Sequence, residues 1–387
     1  MIQGAEAASL RAPDSGAGAY SQAAAREHNK EHAMKPYYAV AMQPRVIGGC
    51  MDENAVAKNL AHSCELIDRA VDGTAQTMKG QTPRIIGFPD SFLHGFGPAR
   101  KRTFQTNSRM ARTIPGEETE RLGQKAREHG TYIAGSMFEI HADYPEHFFN
   151  TGFIIDPEGK VALKYRKINC SNSAVELSTS PGDIMARFNQ DLETLFPVLR
   201  TPIGNLAIYV CFDGLFPEMP RCLALMGAEI LIRPMGPQPT SGIEYVDTWR
   251  TVNRMRAFEN NVYLIGPHWA DSPQTESLVA EGHSMIVDFN GQILTESDGA
   301  REHFVVAPID IQRLRRRRRS ERNNFLAQLR TELYARVYAA RPCFPSGPQT
   351  NRERGLRDLD EKWALEGKVY RALVERGIYT APEADTK

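Results

Sequence analysis

The chain lacks any apolar run approaching the roughly 20 residues needed to cross a bilayer, and its N-terminal stretch lacks the hydrophobic segment and flanks of a secretory signal. Both absences point to a cytoplasmic protein without a membrane role. An excess of either charge is missing as well. Lys plus Arg and Asp plus Glu number 47 each, so the charge balance gives no reason to expect nucleic acid as a partner, and a small neutral or weakly charged substrate fits better. Cysteine is sparse and unpaired: Cys50, Cys64, Cys170, Cys211, Cys222 and Cys343 are scattered singly, with no CxxC spacing. That excludes a disulfide scaffold, and it gives no support to a structural zinc site.

What is present is alternation of strands and helices. With 387 residues, 41% of them hydrophobic, the chain is long enough for one large or two ordinary domains with a substantial core. Residues 1 to 35, rich in Ala, Gly, Ser and charge, read as a poorly ordered tail. From Tyr37 a first strand begins. Val56, Leu60, Cys64, Ile67 and Val71 recur at helical spacing, and PRIIGFPD reads as the next strand. A long polar stretch leads to a helix from Glu117 to His129, the strand TYIAGSMFEI, and a hairpin turning at Asp156-Pro157-Glu158-Gly159 and ending at Lys167.

From Gly204 the same design recurs: the strand NLAIYVC, a helix stopped by Gly227, EILIRP, a helix from about Glu244 to Asn261, VYLIGPHW, and a second strand-turn-strand in GHSMIVDFNGQILTE. The expected organisation is therefore one mixed α/β domain, residues 36–309, with internally duplicated architecture. A helical, highly charged C-terminal extension, residues 310–387, follows and is expected to serve assembly. Its five consecutive arginines, Arg315 to Arg319, without interleaved aromatics, read as a solvated or subunit-contact segment and not as a nucleic-acid site.

The string that carries chemistry is IYVCFDGLFPE, residues 208 to 218. An apolar strand delivers Cys211 to its carboxyl end, where ligands gather in α/β sheets, and a helix starts just beyond at Pro217 and Glu218. A thiol near a helix start and a cation can act as a nucleophile, although a lone cysteine after an apolar strand is commonly a buried structural residue. Lys167 in KVALKYRKIN could equally be a solvated surface charge.

Together these strings resemble the nitrilase superfamily of carbon-nitrogen hydrolases. CFDG followed by FPE is most similar to its aliphatic amidase and formamidase branch. The resemblance runs from about Tyr37 to Tyr338, with RAFENNVYLIG and GHSMIVDFNGQIL as its later segments. It implies a four-layer α-β-β-α sandwich, assembled as a homodimer or larger homo-oligomer, with no metal or organic cofactor. It assigns Cys211 as the nucleophile, Lys167 as the catalytic cation, the N-H of Phe212 as an oxyanion donor, and Glu176 in SAVELSTSPGD as a second carboxylate at the site.

The resemblance departs at one residue. Where the family places a glutamate base after Phe-Pro, IIGFPDSFLHGFG has Asp90, one methylene shorter. Misplacement of about 1 Å can cost on the order of a hundredfold in rate. His94, four residues on, is an alternative base. The expected function is hydrolysis of a small carboxamide to a carboxylic acid and ammonia through a cysteine thioester, with Asp90 as base. Two alternatives stand beside it: hydrolysis of nitriles or N-carbamoyl compounds, and a catalytically weak or inactive relative that binds or assembles.

Overall fold

The computed structural model describes residues 34–48, 54–96, 103–170, 177–237, 243–271, 282–320, 322, 324–341, 343 and 359–382. The expected tail at residues 1 to 35 thus lies outside them but for Met34 and Lys35. The first half of the chain gives β1 (Tyr37–Gln43), α1 (Ala55–Thr77), β2 (Pro83–Gly87), α2 (Phe104–Met110), α3 (Glu117–His129), β3 (Tyr132–Glu139), β4 (Phe149–Ile155) and β5 (Val161–Arg166). After the short α4 (Leu192–Leu195) come β6 (Leu206–Ile208), α5 (Glu218–Leu225), β7 (Ile230–Ile232), α6 (Ile243–Asn260), β8 (Tyr263–Gly266), β9 (Met285–Val287) and β10 (Ile293–Glu296). The last elements are β11 (His303–Ile309), α7 (Ile311–Arg318), α8 (Thr331–Ala340) and α9 (Leu359–Glu375).

Two sheets result, with strand orders β11-β1-β2-β3-β4-β5 and β10-β9-β8-β7-β6. In the first, β1, β2 and β3 are parallel and β3, β4 and β5 antiparallel; in the second, β6, β7 and β8 are parallel and β8, β9 and β10 antiparallel. The duplicated design read from the sequence is thus the design of the sheets. Their inner faces meet where side chains are small: a Cβ on Gly87 would stand 3.2 Å from Ile265, and one on Gly152 would stand 3.1 Å from Ile208. Helices α1 and α3 cover the first sheet and α6, with α5 against it, the second, giving the layers α-β-β-α. β3 and β4 are buried along their whole length, so they show no alternation of buried and exposed positions, and their polar residues Ser136, Glu139, Asn150 and Thr151 are buried with the apolar ones.

Local sequence sets the boundaries. In α3, Glu117, Glu118 and Glu120 occupy the first turn and Arg127 and His129 the last, complementing the helix dipole, and Gly130 ends it in the left-handed region at φ 61°. Three elements were not anticipated, the short α4 among them. The polar stretch after residue 102 contains α2, started by Thr103, whose side chain accepts from the Thr106 N-H while Thr106 Oγ1 accepts from the Thr103 N-H. Pro308 argues against a strand, yet β11 is an edge strand paired only with β1, where a proline is tolerated.

The arginine run is likewise more than a solvated segment. Asp310 caps α7 by accepting from the Arg313 N-H, and Ile311 and Leu314 are buried. Arg315 grips the buried Glu229, just before β7, through Nε to Oε1 at 2.7 Å and Nη2 to Oε2 at 2.9 Å. Arg318 donates to the carbonyls of Asn261 and Ala228. Burial alone would raise the Glu229 carboxyl, but Arg315 and the Asn205 N-H hold it below the usual glutamate range.

A carboxylate held low in the folded state stabilises at pH values above its unfolded pKa, and that contribution is lost as pH falls through the folded value. Glu229→Gln is therefore expected to cost about 1–3 kcal/mol at neutral pH, toward the low end because Arg315 keeps 44% of its side chain exposed. Urea denaturation at neutral pH and in the acid range below about pH 4 should show the difference between wild type and variant shrinking on acidification.

Candidate active site

The chain past β6 does not continue as a strand. Tyr209 and Val210 stay extended, and Cys211 then opens a short 3-10 turn, Cys211–Leu215, with a backbone φ of +53°. For a residue with a Cβ this left-handed conformation is unfavourable and persists only where the surroundings over-determine it. Here they do. The Cys211 N-H donates to Pro234 O at 2.8 Å, and the Cys211 carbonyl accepts from Arg233 Nε at 3.2 Å and Nη2 at 3.1 Å. Arg233 is itself fully buried, bonded through Nη1 to Asn253 Oδ1 at 2.7 Å and lying over the Trp249 ring at 4.9 Å. Its guanidinium fills the space a side chain at Gly214 would need. The glycine of CFDG is thus fixed by the arginine of ILIRP.

Asp213 locks the turn from the other side. It has no exposure, and four donors converge on it: Tyr165 OH at 2.7 Å and the Val210 N-H at 3.2 Å on Oδ2, and the Asn169 N-H at 2.8 Å and Nδ2 at 3.1 Å on Oδ1. Tyr165 and Asn169 flank Lys167, so one carboxylate ties the nucleophile turn to the segment carrying the lysine. Burial pushes the Asp213 carboxyl up to about 6, against the lowering effects of the Lys167 ammonium and of these hydrogen bonds.

Lys167, immediately past β5, is 1% exposed, and its N-H donates to Asn150 O on β4 at 2.9 Å. The solvated reading open to it in sequence does not describe it. Asp90 follows β2 and is equally buried. Its Oδ1 accepts from Ser91 Oγ at 3.0 Å, Ser136 Oγ at 2.8 Å and Asn150 Nδ2 at 3.1 Å, while its carbonyl accepts from Trp269 Nε1 at 2.6 Å. Its N-H donates to Met235 O at 3.3 Å, one residue from the Pro234 that receives Cys211. The segment after β7 therefore bridges Asp90, from the first sheet, and Cys211, from the second. At Gly236 a Cβ would stand 3.8 Å from Asp90 Oδ2 and 2.9 Å from the Phe96 ring.

His94 has a different task from the one considered for it. Buried and stacked on Phe138 at 4.1 Å, it donates from Nδ1 to Gly95 O at 2.9 Å and accepts the Phe138 N-H on Nε2 at 2.9 Å. Both ring nitrogens are engaged with backbone, which fixes the loop and leaves no site for an abstracted proton. Phe212 follows Cys211 in the turn, among the N-H groups that precede intrahelical bonding. Glu176 lies outside the described residues.

The segments bearing Cys211, Lys167 and Asp90 are thus brought to one end of the sandwich. Sequence reading missed Asp213, Arg233, Ser136 and Asn150. Asp213 and Arg233 sit in the strings CFDG and LIRP and carry buried charge, which was the available signal. Ser136 and Asn150 sit inside apolar strands and offered none.

Among the described residues, the one His/Cys/Asp/Glu group spaced to hold a metal is Asp68, Glu128 and His129, on the outer helices α1 and α3. There Lys125 Nζ lies 2.8 Å from Asp68 Oδ2 and 2.9 Å from Glu128 Oε2, and His129 Nε2 lies 2.6 Å from Asp68 Oδ1, so the chain's own cation already occupies the group. Nor is any described helix long and apolar enough to cross a membrane.

Comparison with known proteins bears on the same residues. The profile of the carbon-nitrogen hydrolase family matches residues 39–319. The omega-amidase NIT2-B of Xenopus laevis is 32% identical over 261 residues, covering 66% of this chain and 84% of that protein. Omega-amidase NIT2 of Homo sapiens is 28% identical over 279 residues, covering 72% and 91%. Among solved structures, a carbon-nitrogen hydrolase from Helicobacter pylori G27 has a TM-score of 0.63 at 21% identity, covering 78% of this chain and 98% of that one. A Nesterenkonia sp. AN1 amidase with the acetamide moiety of fluoroacetamide on its active-site cysteine has a TM-score of 0.57 at 22% identity, covering 78% and 96%. At those identities the two structures speak to the fold. The profile, spanning both sheets and the turn at Cys211, carries the assignment: the chain belongs to the carbon-nitrogen hydrolase family of the nitrilase superfamily.

Proposed function

We propose that this protein is an amidase that hydrolyses a small carboxamide to a carboxylic acid and ammonia through a thioester on Cys211. The observation that carries the reading is the strained backbone of Cys211 just past β6, held through its carbonyl by a buried arginine and at its flank by a buried aspartate. The omega-amidase relatives support an amide as substrate.

In the first half-reaction the Asp90 carboxylate takes the thiol proton and the Cys211 sulfur attacks the amide carbonyl carbon. Negative charge gathers on the carbonyl oxygen, stabilised by the Lys167 ammonium and the Phe212 N-H. The tetrahedral intermediate collapses as the C–N bond breaks, and the nitrogen leaves as ammonia with the proton held by Asp90. In the second half-reaction Asp90 takes a proton from water, the hydroxide attacks the thioester carbon, and the C–S bond breaks as Asp90 returns that proton to the sulfur, giving the acid and regenerating thiol and carboxylate. One water is consumed and no redox change occurs. Glu176 is proposed to help hold the amide.

What surrounds Asp90 supports it as the shorter base. Three donors orient Asp90, and Gly236 admits its carboxylate without a side chain opposite. We further propose a cytoplasmic homodimer or larger homo-oligomer in which the C-terminal extension takes part. Leu333, Tyr334, Val337 and Tyr338 form an exposed apolar stripe on α8, which supports that role.

Incubation with a short aliphatic amide is expected to trap a mass adduct on the Cys211 peptide, and Cys211→Ala to abolish ammonia release while leaving the fold intact; labelling at another cysteine sinks the assignment. Asp90→Asn should lose activity on the order of a hundredfold, because an amide cannot accept the thiol proton, and Asp90→Glu should be neutral or harmful because the added methylene crowds a site fitted to aspartate. A wild type inert toward amides but active on nitriles or N-carbamoyl compounds would move the substrate class. An inert wild type with an active Glu variant would make the protein a relative that had lost its base.

Asp213 predicts a pH dependence. As pH falls through about 6 its carboxyl takes up a proton, which turns a hydrogen toward a site already filled by donors and loosens the tie between Cys211 and Lys167. The kcat/KM profile between about pH 5 and 8 should fall on that acid side, and Asp213→Asn should be less active and lack that limb. Deleting residues 331–387, which removes α8 and its stripe, should lower the number of subunits per assembly measured by light scattering; an unchanged subunit number would remove the extension from the interface.

A further inference from the structure

The inference concerns Asn150 and rests on the amidase reading just given. Asn150 lies near the start of β4, is 0% exposed, and is bonded on two sides to segments of the site: its Nδ2 donates to Asp90 Oδ1 at 3.1 Å, and its main-chain carbonyl accepts the Lys167 N-H at 2.9 Å. The orientation of its side-chain amide follows from the first contact, because a carboxylate oxygen accepts from the NH2 end. The other end, Oδ1, then points away from that carboxylate oxygen. It is buried and has no hydrogen-bond partner among the described residues.

A buried acceptor left without a donor is destabilising and uncommon in folded proteins. An apolar side chain of similar size would remove the penalty. An amide retained here, on a strand otherwise lined with Phe149, Phe153, Ile154 and Ile155, implies a donor that arrives with the substrate. Three groups in the proposed reaction bring hydrogen to Asp90, namely the Cys211 thiol, the hydrolytic water and the amide nitrogen; of these the amide nitrogen alone arrives with the substrate, and it receives the proton from that carboxyl as it leaves. Nδ2 fixes the carboxylate while Oδ1, at the opposite end of the same planar group, is placed to accept from the nitrogen that the carboxylate serves.

We propose that Asn150 is a substrate-binding residue that accepts an N–H of the scissile carboxamide, and that it restricts the enzyme to substrates bearing hydrogen on the reacting nitrogen. Amides satisfy its Oδ1. Esters and nitriles leave it unsatisfied, and a site built to bond a substrate N–H discriminates against analogues lacking it.

The test compares a short aliphatic amide with the methyl ester of the same acid, for wild type, Asn150→Leu and Asn150→Ser. Both substrates give the same thioester, so deacylation is common to them. The amide nitrogen needs a proton from Asp90 more than methoxide does, so Ser136→Ala, which removes another donor from Asp90 Oδ1 without touching Asn150, serves as the control, and a ratio change that it matches would overturn the proposal. The expected result is a fall in kcat/KM of about tenfold to a hundredfold on the amide, with the ester falling much less, so that the amide-to-ester ratio drops at least about tenfold. Thermal melting identifies which variants fold, and should the leucine variant not fold, the serine variant decides by the same ratio. Equal losses on both substrates, or none on either, would overturn the proposal while leaving the amidase reading intact. A wild type that cleaves the ester but no amide would overturn the amidase reading and this proposal together.

Discussion

A cysteine at φ +53° is the constraint around which the rest of the site is arranged. Strain of this kind is on the order of 1–3 kcal/mol and would relax unless each flank of the residue were held. The N-H is held by the segment after β7, the carbonyl by Arg233, and the next turn by Asp213. Two of these restraints are buried charges, which are themselves costly unless fully bonded. Arg233 meets that demand through Asn253, Trp249 and the bare face of Gly214, and Asp213 through Tyr165 and Asn169. The result is a cysteine whose backbone position is set before any substrate arrives, as preorganised catalysis by the proposed nucleophile requires.

The division of labour between the sheets follows from the same arrangement. Asp90 and Lys167 come from the first sheet and Cys211 from the second, so the three proposed catalytic groups are aligned only while the sheets keep their relative position. The sheets approach closely at Gly87 and Gly152, where an added Cβ would stand 3.2 Å from Ile265 and 3.1 Å from Ile208, so the neighbour would have to yield to a larger residue. Small residues on the strands leading to the site therefore help set its geometry.

How much of this was legible in the sequence depended on whether a residue's signal was local. The strands, the helices at 55–77 and 117–129, and the duplicated order all announced themselves through periodicity and turn residues. Cys211 and Lys167 stood out because their strings were specific. Edge position, by contrast, is a tertiary fact, so β11 was hidden by Pro308. The ring of donors around Asp90 was hidden for a similar reason: Ser136 and Asn150 lie inside apolar strands, and nothing short of the strand pairing says which side chains turn toward residue 90. His94 showed the converse. A histidine near a candidate base invites a chemical role, while its two backbone hydrogen bonds give it an architectural one.

The pairing of β11 with β1 bears on how the chain is made. β1, with the apolar sequence YYAVAMQ, is the first described strand to leave the ribosome, and the partner that covers its outer edge is the last strand of the core. Through most of synthesis the sheet that carries Asp90 and Lys167 therefore presents an open, hydrophobic edge, the kind of template on which nascent chains pair with one another. Until residues 303–309 emerge, that edge is without its native partner.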